Sequence, residues 1–296
     1  MKKQAKRFSI KNKLLVIFGL LVFAAITILG VLATKIARKA VIEKVETHLT
    51  DKANDVAEII DGRISAFFQF LEGVARMPDL RDESLSAAEK SAILEHEASI
   101  NPLINHLQLT DSRGKTYYLG SILNNRDKSW FQTAIKGGKG VSDPFPNALN
   151  PDDLISILSI PIYDDNHLIF GTLDAVINAY WFSDQIKEIR VGQSGECYIL
   201  DSSGSTVADK DTALVKNREN TVEEAKKDSS LASCAAFEKM AVEIDKPSIG
   251  FYEYKGEKVI ASYTKMKSTD WTIIIDAPVH EFMGTVDALR ISIVII

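Results

Sequence analysis

Residues 41–77 read VIEKVETHLTDKANDVAEIIDGRISAFFQFLEGVARM. Apolar residues fall at Val41, Val45, Leu49, Ala53, Val56, Ile60, Ile64, Phe67, Leu71 and Val74, an average step of about 3.67 residues. That spacing traces one continuous face of an α-helix. The other faces carry Glu43, Lys44, Glu46, Asp51, Lys52, Glu58, Asp61 and Arg63, and no proline interrupts the chain before Pro78. Such length exceeds what a compact domain needs and points to a stalk, a dimer interface or both. The expectation is that its membrane-proximal half pairs with a second copy, as a homodimer through the long helix, while its distal half packs on its own sheet.

Upstream, residues 14–34, LLVIFGLLVFAAITILGVLAT, hold no charged side chain over 21 positions. At helical rise this run matches the roughly 30 Å hydrocarbon core of a bilayer. Lys2, Lys3, Lys6, Arg7, Lys11 and Lys13 precede it with no acid among them, so the chain is expected to cross outward from a cytoplasmic N-terminus. A signal peptide would have a shorter apolar run and a small-residue cleavage site, whereas this run passes into Lys35-Ile36-Ala37-Arg38-Lys39. At the far end, residues 291–296, ISIVII, look like the first turns of a second crossing. The chain is therefore expected in the cell (inner) membrane, with residues 35–290 periplasmic or extracellular.

Net charge is −5, but the first 13 residues carry six positive charges, leaving the remainder at −11. An acidic exterior argues against nucleic acid as a partner. Two cysteines, Cys197 and Cys234, do not make a disulfide framework, and two buried free thiols are expected.

Beyond the stalk the pattern is mixed. A short helix is expected near 87–98, followed by a hairpin through Asp111-Ser112-Arg113-Gly114, a helix at 127–137, strands at 154–162 and 168–177, and a helix at 180–190. Asp201-Ser202-Ser203-Gly204-Ser205-Thr206 then repeats Asp111-Ser112-Arg113-Gly114-Lys115-Thr116 at an offset of 90, and Ile275-Asp276-Ala277 echoes Leu173-Asp174-Ala175. Two modules built alike are the economical reading. Helices are expected near 221–242, and strands at 249–254, 258–264 and 271–277. The divisions expected are a basic N-terminus over 1–13, a transmembrane helix over 14–34 and a stalk helix over 35–77. A membrane-distal module over 78–190 and a membrane-proximal module over 191–280 follow, with a return to the membrane over 281–296.

No catalytic site assembles. The five histidines are scattered, with no H-E-x-x-H and no C-x-x-C, so neither a metal site nor a cofactor is expected. Gly114-Lys115-Thr116 resembles the end of a phosphate-binding loop, but Leu109 stands where such a loop needs glycine. Aromatic and charged residues instead concentrate between 117 and 182, a composition that suits a small polar ligand or, equally, a core under a helix.

Three stretches carry a resemblance. They run from Arg126-Asp127-Lys128-Ser129-Trp130-Phe131 to Val141-Ser142-Asp143-Pro144-Phe145, from Val191-Gly192-Gln193-Ser194-Gly195 to Gly204, and from Gly250-Phe251-Tyr252-Glu253-Tyr254 to Thr269-Asp270-Trp271. In order and spacing the chain resembles the double-Cache sensor domains of bacterial chemoreceptors, histidine kinases and diguanylate cyclases, most like methyl-accepting chemotaxis proteins. The resemblance implies an α+β fold, with a long N-terminal helix and two PAS-like Cache modules with antiparallel sheets. It also implies a small polar ligand, an organic anion or an amino acid or amine, in the distal module. In the amino-acid-binding branch an arginine two positions before a Trp-aromatic pair holds the ligand carboxylate. Here Lys128 stands at that position and Arg126 two further back. The branch's aspartate, counted from Gly195, would fall on Val176, with Asp174 two residues earlier on the same strand face. The implied ligand-binding set is Arg126, Lys128, Trp130, Phe131, Phe145 and Asp174. Alternatives are the sensor of a kinase or cyclase, or an interaction module without a small-molecule ligand.

Overall fold

The computed structural model describes residues 9–295 apart from 119, 120 and 149. Lys2, Lys3, Lys6 and Arg7 of the expected cytoplasmic cluster, Leu119 of the first hairpin and Ile296 lie outside the described residues. In chain order the helices are α1 (Ile10–Ala75), α2 (Pro78–Arg81), α3 (Ala87–Ile100), α4 (Ser129–Ala134) and α5 (Tyr180–Ile186), then α6 (Thr212–Lys216), α7 (Thr221–Glu224), α8 (Ala232–Glu243) and α9 (Gly284–Ile295). The strands of the first sheet are β1 (Ile104–Asp111), β2 (Lys115–Tyr118), β3 (Ser121–Asn124), β4 (Gly140–Val141), β5 (Phe145–Pro146), β6 (Leu154–Tyr163) and β7 (Ile169–Asn178). Those of the second are β8 (Cys197–Leu200), β9 (Thr206–Ala208), β10 (Ser248–Tyr254), β11 (Glu257–Lys265) and β12 (Thr272–Pro278).

The first sheet runs β3-β2-β1-β7-β6-β4, with β5 also on β6, and the second runs β10-β11-β12-β8-β9. Every pairing in both is antiparallel. This is the α+β architecture expected from the sequence, a long helix with two antiparallel sheets.

Helix α1 is unbroken over 66 residues, about 100 Å at helical rise. Its lower part, residues 14–34, projects clear of the domain; Leu15, Phe18 and Phe23 are exposed, and Thr27 and Thr34 bond back to the carbonyls of Phe23 and Gly30. Among the described residues this is the one helix long and apolar enough to cross a membrane. Above it, the apolar stripe from Val45 to Val74 is buried against both sheets, in one core with Leu158, Leu173 and Ile177 of the first and Ile260, Ile273 and Ile275 of the second. The stripe is therefore taken up within the chain from Val45 onward, including the half expected to face a second copy. A different face, on which Ile59 is exposed, is left outward. Asp61 on α1 accepts the backbone N–H groups of Lys267 and Ser268, fastening the β11–β12 turn to the rod.

The two hairpin turns that repeat in sequence repeat in geometry. The Asp111 carboxylate accepts the N–H groups of Arg113 and Lys115, and the Asp201 carboxylate those of Ser203 and Ser205. Gly114 and Gly204 supply the left-handed residue in each, at φ 81° and 83°. The β10–β11 hairpin turns on Lys255 and Gly256, both at positive φ, the arrangement that matches strand twist. One expectation falls short. The helix expected over 127–137 is confined to α4. The helices expected near 221–242 are present as α7 and α8, separated by a 3-10 turn at Ser229–Leu231 that Asp228 caps. Strand β3 had no clear sequence signal.

The modules are joined by aromatic contacts. Phe67 of α1 meets Trp181, Trp181 meets Phe182, and Phe182 meets Trp271 at the edge of β12, with ring centroids 5.2, 5.0 and 4.8 Å apart, all edge-to-face. The Trp271 indole N–H donates to Asp143 of the first module at 2.7 Å. Phe182 is fully buried at the centre of this series. Phe182→Ala is expected to lower unfolding stability by about 3–5 kcal/mol, read by urea titration; a loss below about 1 kcal/mol would show that the contact does not hold the modules.

Candidate functional site

Strands β6 and β7 are buried on both faces. One face looks to α1. The other carries Ile155, Ile157 and Ser159 on β6 and Thr172, Asp174 and Val176 on β7, because side chains alternate along a strand. Trp130 and Phe131, presented by the short α4, pack on this second face with Ile155, Ile157 and Val176, and Phe145 joins them. Gly140 makes the approach of α4 possible, since a Cβ there would lie 2.3 Å from the Trp130 carbonyl oxygen.

Asp174 has no exposed surface. Its carboxylate accepts from the hydroxyls of Thr110 and Ser159 at 2.5 Å and Thr172 at 2.8 Å. These lengths suit hydroxyl donation to a charged oxygen. The Thr110 proton goes to Asp174, so Thr116 donates to Thr110, and Asn125 Nδ2 donates to Thr116 at 2.9 Å. The network thus runs from the segment before α4 to the central strand. Burial pushes the Asp174 carboxyl up to about 6, against the pull of Ser159, Thr110, Thr172 and Gln108. No cationic side chain pairs with it among the described residues.

Trp130 is buried, and its indole N–H has no partner among the described residues. Lys128, the residue just before α4, is exposed and sits 5.7 Å over the Phe145 ring. Arg126 is exposed, and its backbone rather than its guanidinium is what the fold uses, pressed against Gly114. Neither cation makes an ion pair among the described residues. Of the six residues singled out, Trp130, Phe131 and Phe145 form one cluster with Lys128 at its edge. Asp174 shares their sheet face, and Arg126 stands apart. Sequence reasoning missed Thr110, Thr116, Asn125, Ser159 and Thr172. The signal for Ser159 and Thr172 was a hydroxyl residue inside an otherwise apolar strand, whereas Thr110, Thr116 and Asn125 carried none.

The second module repeats the placement. Asp276 on β12 lies on the face away from α1, as Asp174 does on β7. It accepts the Tyr252 hydroxyl and, at 3.2 Å, the Glu196 N–H. Its carboxyl is likewise pushed up to about 6, chiefly by burial.

A family model described as Cache domain, of the double-Cache type, matches residues 33–286. No curated protein sequence matches the chain. Among solved structures, the ligand-binding domain of the Pseudomonas fluorescens chemoreceptor CtaA, in complex with L-isoleucine, superposes with a TM-score of 0.64 at 16% identity, covering 84% of this chain and 98% of that one. The ligand-binding domain of the Campylobacter jejuni chemoreceptor Tlp3, in complex with L-valine, gives 0.60 at 16% identity, covering 83% and 97%. The extracellular domain of a protein described as a histidine kinase, mmHK1S-Z2, gives 0.60 at 13% identity, covering 83% and 100%. Identities this low carry the fold alone, but the family match spans most of the chain, and the chain belongs to the Cache family in its double-module form.

Proposed function

We propose that this Cache domain is the extracytoplasmic ligand sensor of a transmembrane chemoreceptor, without catalytic activity of its own, and that it takes a small polar organic ligand in the membrane-distal module. The single observation that carries the reading is a pair of buried polar groups on one sheet face. Among the described residues Asp174 is a buried carboxylate without a cation, and Trp130, packed on the same sheet face, is a buried donor without an acceptor. A buried carboxylate held by hydroxyls but without a counter-charge, and a buried donor without an acceptor, suit a ligand with both a cationic end and an accepting end. Lys128 adds a point charge for a carboxylate at the mouth, and Phe131 and Phe145 supply apolar walls. CtaA and Tlp3 were solved with amino acids bound, which supports amino acids as candidates here beside other small organic anions. A histidine-kinase output is the second reading, favoured by the likeness to mmHK1S-Z2.

In this reading residues 14–34 cross the inner membrane, and α9 carries the signal back. Met283 and Val286 at the start of α9 pack in the same core as Ala37 and Val41 of α1. A ligand that binds one arrangement of the modules better than another biases the relation of these two helices. A second copy pairs through the outward face of α1 near Ile59.

Thermal unfolding of the chain in nanodiscs, against L-amino acids and small organic acids, is expected to find a ligand that raises the midpoint. Trp130→Phe and Lys128→Ala should each weaken that ligand by about tenfold; silence across the panel would favour a pure interaction module. Because the folded Asp174 value lies above the ordinary 3.8, the protonated form is favoured in the fold. Its cost is full above about pH 6 and disappears as pH falls toward 3.8. The ligand-free Asp174→Asn protein should melt higher than the parent at pH 7.5, with the gap closing near pH 4; a gap independent of pH would refute a charged Asp174. Nitroxides at Ile36 and Leu289, both exposed, read the α1–α9 distance, and one at Ile59 reads the pairing of copies. An identical 36–289 distance in empty and ligand-saturated protein would sink the transmission, and no dipolar coupling at 59 would sink the pairing.

A further inference from the structure

The second module has a cavity of about 470 Å³ on the sheet face away from α1, bounded by β8, β10, β11 and β12, by α8 and by the segment 206–221. The volume lies in the range of small-molecule sites. Its charged lining is one-sided, with Glu196, Asp209, Glu219, Glu238, Glu257 and Asp276 against Lys255. We propose that this cavity is a second ligand site, specific for a small organic cation, with its ammonium group held between Glu238 and Asp276 and walled by Tyr198, Tyr252 and Tyr254.

Acidic lining alone would describe any solvated cleft. The decisive group is Glu238, which is only 4% exposed. Its Oε1 accepts from the Tyr198 hydroxyl at 3.1 Å and from the Cys234 thiol at 3.6 Å. Its Oε2, equally buried, has no hydrogen-bond partner among the described residues, and the pull of the Thr221 hydroxyl on this carboxyl does not amount to a bond to that oxygen. A buried carboxylate oxygen left without a donor is costly, and natural folds rarely leave one. Asp276 accepts the Tyr252 hydroxyl, so both phenol protons that reach the cavity floor are already committed to carboxylates. Among the described residues no cation makes a salt bridge to Glu238 or Asp276, and Lys210, which acts on Asp276 at a distance, is committed elsewhere. Lys210 pairs with Glu196, His280 approaches Glu257, and Lys255 lies 4.9 Å over the Tyr254 ring. What the floor lacks is a positively charged donor, which an ammonium supplies.

The chemistry of the site also narrows the cation. Among the described residues no three His, Cys, Asp or Glu side chains converge as metal ligands. A divalent ion needs several oxygen ligands at short range, whereas an ammonium needs two or three acceptors and gains from aromatic faces. Three tyrosines among the lining residues fit the second case. Burial pushes Asp209, Glu238 and Asp276 each up to about 6, which agrees with a site that lacks its positive partner.

The site is distinct from the distal one and does not rest on it. The test uses the full chain in nanodiscs at fixed ionic strength, with 1,4-diaminobutane, ethanolamine and tetramethylammonium as probes, and malate and calcium chloride as controls. At least one ammonium probe is expected to raise the unfolding midpoint by about 2 °C or more at millimolar concentration, with neither control doing so. By titration calorimetry, Glu238→Gln and Asp276→Asn should each weaken that probe about tenfold or more, while Asp174→Asn leaves it within about twofold. Glu238→Gln, which removes the unpartnered charge, should melt no lower than the parent when ligand-free. Reading Asp276→Asn in parallel keeps the test open should one variant fail to fold. The proposal is overturned if no ammonium probe shifts the midpoint, if calcium alone does, or if binding survives both proximal substitutions. It is also overturned if binding is lost in Asp174→Asn and kept in Glu238→Gln, which would assign the ammonium to the distal module.

Discussion

The structure depends on one packing seam, the apolar stripe of α1 from Val45 to Val74. Neither sheet could bury its inner face without it. Leu158, Leu173 and Ile177 of the first sheet and Ile260, Ile273 and Ile275 of the second lie in the same core as that stripe. A helix of 66 residues would not stand alone in water, and most helical stability in proteins comes from packing an apolar face. Rod and sheets are therefore mutually required. The seam leaves the opposite face of each sheet unclaimed by the rod, and both candidate sites lie on those opposite faces.

That division explains what was legible in the sequence. The stripe is a long, regular pattern, so the helix and its continuity with residues 14–34 could be read directly. Its partner could not. A stripe facing a second copy and a stripe facing the chain's own sheet obey the same period, and only the positions of β6, β7, β11 and β12 decide between them. The repeated turns were legible because an aspartate two and four residues before the N–H groups it accepts, with glycine between, is a local device. Strand β3 and the break before α8 were not, since β3 is defined by pairing with β2 and the break by one capping aspartate.

The sites show the same limit at finer scale. Trp130, Phe131 and Phe145 could be named from composition and motif, and they do gather on one face. Asp174 could be placed on that face from strand parity. The hydroxyls that surround it come from Thr110 on β1, Ser159 on β6 and Thr172 on β7 itself. They become neighbours of the carboxylate only through the register of three strands, in which Gln108, Asp174 and Ser159 lie side by side. Glu238 is a harder case. It lies on α8, far along the chain from Tyr198, and nothing in the helical pattern of 232–243 marks it as facing a cavity rather than water.

The two modules share a physical theme, a carboxylate placed on the far face of a sheet and left without a cation. Each such charge works against the empty state, since desolvation penalises the ionised form and the hydrogen bonds it accepts offset that penalty only in part. A cationic group entering either face relieves a cost already present in the empty protein. Its binding free energy therefore differs between an arrangement that closes around the carboxylate and one that does not. Only such a difference can shift a conformational equilibrium. Because both sheets press on the same rod, and Trp271 of the second donates to Asp143 of the first, a shift of either sheet changes the footing of the other. The helix that leaves the second sheet, α9, packs in the core beside Ala37 and Val41, just above the segment suited to a bilayer. Relief of a buried charge far up the rod and a small displacement of two helices near its base are then opposite ends of one packed body. In the proposed sensor the seam is the element that joins the first to the second.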